Sequence, residues 1–125
     1  MNLLLAILAF NLIVIIHELG HFITAKLADI KVLEFSLFVG PKLFSIKKGE
    51  TTYSLRLIPI LAYVKMEGEE EHSDSERAFN KKPVLTRFAV IAAGPLANIF
   101  TAVILLVILF SVTGYSTSKL SYVEE

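Results

Sequence analysis

His17, Glu18 and His21 stand in the order His-Glu-Leu-Gly-His. On a helix, a spacing of four puts both imidazoles on one face, about one turn apart, so both can ligate one Zn²⁺ at ~2.0–2.1 Å. Glu18 lies beside that face, where a carboxylate can take a proton from water activated by the metal. Zinc makes such hydrolysis feasible near neutrality because it lowers the pKa of its bound water to about 7.

A hydrolytic zinc site also needs a third protein ligand, with the fourth position left for water. Thr24 and Leu27 stand where a longer motif would place its Gly and third His. His72 and Asp74 belong to a distant acidic stretch. Asp29, eight residues beyond His21, would sit roughly 12 Å along a continuing helix, too far to close the same site. Glu34 or Glu50 folding back is conceivable, although nothing marks either. Two ligands and a base are therefore visible, without the third ligand. With no Cys, thiolate zinc sites, iron–sulfur clusters, disulfides and a cysteine nucleophile are excluded.

The element that must carry this motif is apolar on nearly all sides. From Leu3 to Ile16 the one polar residue is Asn11, and Phe22, Ile23, Leu27 and Ala28 continue the pattern. A helix over 1–28 is predicted; Leu3–Ala28 alone would be roughly 39 Å long, enough to span a bilayer. Each ionisable residue inside hydrocarbon costs at least ~2.5 kcal/mol, so three within five need a reason such as metal ligation. Asn11 precedes Glu18 by seven residues, two helical turns, and extends one polar stripe along the same face. A secretory signal peptide would need a basic start and a small-x-small cleavage site. Neither is present.

A second uncharged run covers 88–112, its polar content being Asn98, Thr101 and Ser111; at roughly 37 Å it too is of spanning length. Two buried core helices would need a larger soluble domain than these residues supply. Overall 54% of the 125 residues are hydrophobic and the mean hydropathy is +0.65, high for a small soluble domain. Twelve basic residues balance twelve acidic ones, which speaks against a nucleic-acid surface. Eleven of the twelve basic residues lie between Lys26 and Arg87. The positive-inside rule then puts 29–87 in the cytoplasm and both termini, with a tail over 113–125, on the other side.

Within 29–66, Val32–Phe38, Leu43–Lys47, Thr51–Leu57 and Ile60–Met66 read as short strands, with a turn at Lys48-Gly49-Glu50. A small sheet or pair of hairpins, apolar enough to lie against or dip into a membrane, is expected; an exposed soluble hairpin is the alternative. Residues 67–87 read as a polar linker, acidic at Glu67–Glu76 and basic at Ala78–Arg87. The fold expected is thus a mainly α membrane protein, two spans flanking a membrane-associated β-loop.

With these blocks in view, the sequence resembles the intramembrane zinc metalloproteases of the site-2 protease type, the bacterial regulators of envelope stress and signal-peptide clearance. HELGHFITAK from His17, GPKLFS at Gly40–Ser45, IPILAYVKMEGE at Ile58–Glu69 and the run from Ala78 to Phe100 carry the likeness, in order and spacing. The resemblance implies that His17 and His21 ligate Zn²⁺, and that Glu18 is the general base for peptide hydrolysis within a bacterial cytoplasmic membrane. It implies that the β-loop, around Tyr53–Met66, presents an extended substrate, a single-span membrane protein or a remnant signal peptide. The Gly94-Pro95-Leu96-Ala97-Asn98 block would pack against the first helix, with Asn98 able to hydrogen-bond across; Gly94 and Asn98 then either support the active site or serve packing alone.

Two departures accompany the likeness. Family members usually carry a Gly pair where this chain has Leu61-Ala62. Their third ligand is an Asp before Gly on a later transmembrane helix, usually beyond one or more PDZ domains, and this sequence has no Asp-Gly pair. The expectation is therefore the N-terminal portion of such a protease, inactive by itself. The alternatives are a two-span scaffold that binds transmembrane segments without cleaving them, and a two-span metal-handling protein with zinc held between protomers.

Overall fold

Residues 2–114 are described by a computed structural model. Their order is α1 (Leu3–Leu27), β1 (Val32–Lys48), β2 (Thr51–Met66), a single 3-10 turn (Phe79–Lys81) and α2 (Val84–Thr113). The end of the tail expected over 113–125 lies outside the described residues from position 115 onward.

Both helices are long and apolar enough to cross a bilayer, judged by length and composition. Their large side chains point outward: Leu8, Leu12, Ile13 and Ile23 on α1, and Phe100, Leu105 and Phe110 on α2, are each about half exposed or more. On α1 only Asn11 and Ala25 are buried, and on α2 only Val90 and Gly94. So the two helices meet along a narrow stripe and α1 also packs on β2, while most of the remaining surface of both helices has no protein partner among the described residues. α2 starts at Val84, four residues before the uncharged run. Pro83 explains the earlier start: its φ of −55° already suits a helix and its missing N–H costs nothing at a first turn. Arg87 stands on that turn, half-buried, with its Nε lacking a partner among the described residues.

Where four short strands were expected, the chain forms two long ones, of 17 and 16 residues. They pair with each other in one mainly antiparallel sheet, but its register is not a single ladder. Glu34 to Leu37 pair with Lys65 down to Ala62 on one side and with Thr52 up to Leu55 on the other. Lys42 to Lys48 pair separately with Arg56 to Thr51 across the turn. Each long strand is folded back on itself, and the bends fall where backbone φ is positive, at Phe38 (68°), Gly40 (93°) and Leu61 (69°). Pro41 and Pro59 adjoin these bends and offer no N–H to any ladder. The sequence breaks between the short strands were real, therefore, but they became bends instead of ends.

The small core sits at one end of the helix pair. Ala25, Ile30, Val32, Met66 and Val90 form it, with Phe22, Ala28, Val64 and Phe79 packed around. It joins both helices to both strands and to the segment after β2. That segment, read from sequence as a solvated linker, is tied down by its backbone: Lys31 N–H donates to Arg77 O, Glu67 N–H to Lys31 O and Phe79 N–H to Glu67 O. Ala78 is fully buried. Its acidic middle, Glu69–Glu71, stays exposed as the charge run suggested.

An ion network closes the same end. The Arg77 guanidinium meets both oxygens of Glu50 at 2.5 and 2.8 Å and Asp29 at 2.9 Å, and Lys26 Nζ reaches Glu50 at 3.3 Å. These bonds, Arg77 above all, hold the Glu50 carboxyl down at about 2.

Candidate metal centre

α1 brings His17, Glu18 and His21 together as the spacing requires. One ligand-type atom from each lies within 4.8 Å of the other two, and the imidazole centroids are 4.7 Å apart with their planes at 80°. The face they share is the face α2 covers.

What α2 offers there is mostly room. A Cβ on Gly94 would lie 2.6 Å from Nε2 of both His17 and His21. Gly94 therefore leaves a cradle against the two nitrogens that would bind a metal. Gly20 does the reciprocal job on α1, since a Cβ there would overlap the carbonyl of Ala93. The two glycines, one on each helix, let the backbones come close enough for α2 to roof the imidazoles.

The tautomers follow from the remaining contacts. His21 Nδ1 lies 2.8 Å from Val90 O. A carbonyl can only accept, so Nδ1 carries the proton and Nε2 presents its lone pair toward Gly94. His17 Nδ1 lies 3.3 Å from the Asn98 amide nitrogen, while Asn98 Oδ1 is buried without a partner. Amide oxygen and nitrogen are interchangeable in outline, and turning this amide over gives its oxygen a donor. Oδ1 then accepts from His17 Nδ1–H, and His17 Nε2 is freed as a second lone pair. The two imidazoles are thus held as a zinc site holds its histidines, each by a hydrogen bond from the nitrogen away from the metal.

Glu18 points elsewhere. Its Oε2 accepts from the Val64 N–H of β2 at 3.1 Å. Two turns earlier, Asn11 reaches the same strand: its amide donates to Pro59 O at 2.8 Å and accepts from Leu61 N–H at 3.0 Å. The polar stripe read along α1 is therefore real, and all of it is used. Its Asn11 and Glu18 hold β2, and its histidines face α2.

The other acidic groups considered as a third ligand are engaged elsewhere. Glu34 pairs with Arg56 at 2.8 Å, and Glu50 and Asp29 both pair with Arg77. His72 contacts Asn80 and Asp74 at the exposed surface. No third ligand joins His17 and His21 among the described residues, apart from Glu18 beside them. Val90 O, Val64 N–H and Gly20 were not picked out from sequence. For Gly20 a signal existed in the small run Ala92-Ala93-Gly94 facing it; the two backbone groups carry none, because every residue has them.

Two imidazoles with Nε2 free and a carboxylate alongside, in a cradle between two apolar helices, are a donor set of the kind that zinc metallohydrolases use. The sequence profile of peptidase family M50 matches residues 5–124, and the chain belongs to that family, the site-2 proteases. It is 50% identical over 92% of its length to a protein of Clostridium acetobutylicum named "Putative zinc metalloprotease", covering 33% of that protein. Proteins of Clostridium perfringens and Fusobacterium nucleatum with the same descriptive name are 44% and 46% identical, over 98% and 91% of this chain. The chain spans about a third of the length of these relatives, 33–37%. The cofactor of this class is Zn²⁺, and the donor set and cradle fit it.

Proposed function

We propose that the chain is the part of an intramembrane zinc endopeptidase that carries two metal ligands, His17 and His21, and the general base, Glu18. The observation that carries this reading is the pair of Nε2 atoms meeting over Gly94, with each Nδ1 committed to a partner on α2. Zinc bound there would polarise the scissile carbonyl and lower the pKa of water. Val90 O and Asn98 fix the two imidazoles, so that neither tautomer nor ring angle changes during the reaction. Glu18 accepts the proton of the attacking water and returns it to the leaving amine, which requires its Oε2 to exchange Val64 N–H for the water. The apolar helices exclude bulk water and make that exchange matter.

The substrates are single-span membrane proteins or remnant signal peptides, which must be extended before a peptide bond can be attacked. β2 is the element that guides them, because Val64 on it already bonds the base and Tyr53–Met66 borders the site. The bilayer surrounds both helices of a multi-pass protein of the bacterial cytoplasmic membrane. Residues 29–87 face the cytoplasm, where the basic residues cluster. The third ligand comes from a further transmembrane helix, and one or more PDZ domains precede it.

The test uses the full-length protein in detergent with a single-span reporter. Wild type is expected to hold one zinc and cleave the reporter. Glu18→Gln should keep the zinc and lose cleavage by at least about 10²-fold, and His17→Ala should lose both. Cleavage that survives Glu18→Gln overturns the assignment of the base.

A further inference from the structure

One buried polar residue of α1 has no part in metal binding or proton transfer. Asn11 is 6% exposed, whereas its neighbours Phe10, Leu12 and Ile13 are each about half exposed. A primary amide inside an apolar span needs partners for both its ends. Asn11 finds them on one strand, at the carbonyl of Pro59 and the N–H of Leu61. A carbonyl and an N–H two residues apart are the pair that a parallel neighbouring strand would bond, so the side chain imitates a strand.

The stretch it grips is strained. Leu61 has φ of 69°, a left-handed conformation that a branched side chain resists. Pro59 supplies no N–H, and the bend carries no ladder bond of its own beyond Leu37↔Ala62 and Val39↔Ile58 on either side. Three residues past Leu61, Val64 N–H meets Glu18. Asn11 and Glu18 are seven apart on α1 and therefore share its face. If Leu61 relaxed to ordinary extended φ, β2 would straighten and Val64 would leave Glu18.

We propose that Asn11 is a positioning residue, holding the bend at Pro59–Leu61 and thereby the β2 edge at the distance from Glu18 that the reaction needs. The proposal rests on the proteolytic reading above for its activity arm only. The experiment uses the full-length protein, loaded with zinc in detergent, and reads hydrogen exchange of the 59–66 amides beside reporter cleavage and zinc content. Asn11→Leu suits an apolar helix. It is expected to speed exchange at Leu61 and Val64 and to cut cleavage about 10- to 100-fold, with zinc per chain unchanged. Adding Leu61→Gly should restore slow exchange and most of the cleavage, because Gly takes positive φ without a clamp. Should Asn11→Leu fail to accumulate, Asn11→Ser, whose single hydroxyl cannot span both groups, is read in the same way. Unchanged exchange in the Asn11 variant overturns the proposal, as does faster exchange that Leu61→Gly leaves uncorrected. A wild type that binds zinc but cleaves nothing refutes the proteolytic reading alone, and the exchange comparison still decides the role of Asn11.

Discussion

α1 and α2 are of similar apolarity and serve the site in opposite ways. α1 supplies the candidate functional atoms: two imidazoles, a carboxylate and an amide along one stripe. α2 supplies what surrounds them: a missing Cβ at Gly94, a main-chain carbonyl at Val90 and one turned amide at Asn98. A reactive group in an apolar surround needs both, because a side chain there is only as well placed as the backbone it leans on. A helix that carries candidate ligands can be recognised by its residues, whereas the helix supporting it is recognised by space and by hydrogen bonds to imidazole.

The largest effect expected from breaking this division of labour is at Gly94. Gly94→Val would push branched carbon into the cradle that a single Cβ already overfills. Zinc affinity should then fall by more than about 100-fold, the upper end for groups that support metal ligands. Retained stoichiometric zinc, by metal analysis, would show that α2 does not roof the histidines. Asn98→Leu is milder, since it keeps the volume and leaves only His17 Nδ1 without its acceptor; about a 10-fold loss of zinc affinity is expected, with His21 unaffected. Equal losses in Asn98→Leu and in a control at Thr101, which bonds only its own helix at Ala97 O, would reduce Asn98 to a packing residue.

The smallest effect sharpens the contrast from outside the helix pair. Glu50 is bound by Arg77 and Lys26 at the polar end, and its side chain is 28% exposed, so screening keeps its contribution modest. Its carboxyl is held at about 2, below the ordinary 4.5. A depressed acid stabilises the fold above its unfolded pKa and loses that contribution as the pH drops through its folded one. Glu50→Gln should therefore lower Tm by a few degrees at pH 7. The gap between the variant and wild type should close between about pH 4.5 and 2, followed by circular dichroism. A gap independent of pH would mean that Glu50 acts through packing rather than charge.

Much of the candidate site was legible before any fold was known. Spacing alone put His17 and His21 on one face, and the depth of the surrounding apolar run made Glu18 too costly to be incidental. Gly94 and Asn98 followed from their spacing of four and from the likeness to known proteases. The β-loop was legible in kind but not in form. Breaks at Gly40-Pro41 and Pro59 signal interruptions equally whether a strand ends or bends, and pairing with distant residues decides between the two. Glu34 and Glu50 stayed open as ligands until Arg56 and Arg77, 22 and 27 residues further along, were seen to take them.

The sequence by itself determined which helix carries the candidate ligands, because side-chain identity and helical period are local properties. It also determined that two long apolar helices flank a β-rich segment, since composition and length need no partner to be read. Only the tertiary structure decided how the site is held: that Val90 O fixes His21, that Val64 N–H holds Glu18 and that Gly20 and Gly94 let the helices close. The backbone groups are the same at every position and a glycine marks only a missing side chain, so both acquire their meaning when folding brings one segment against another.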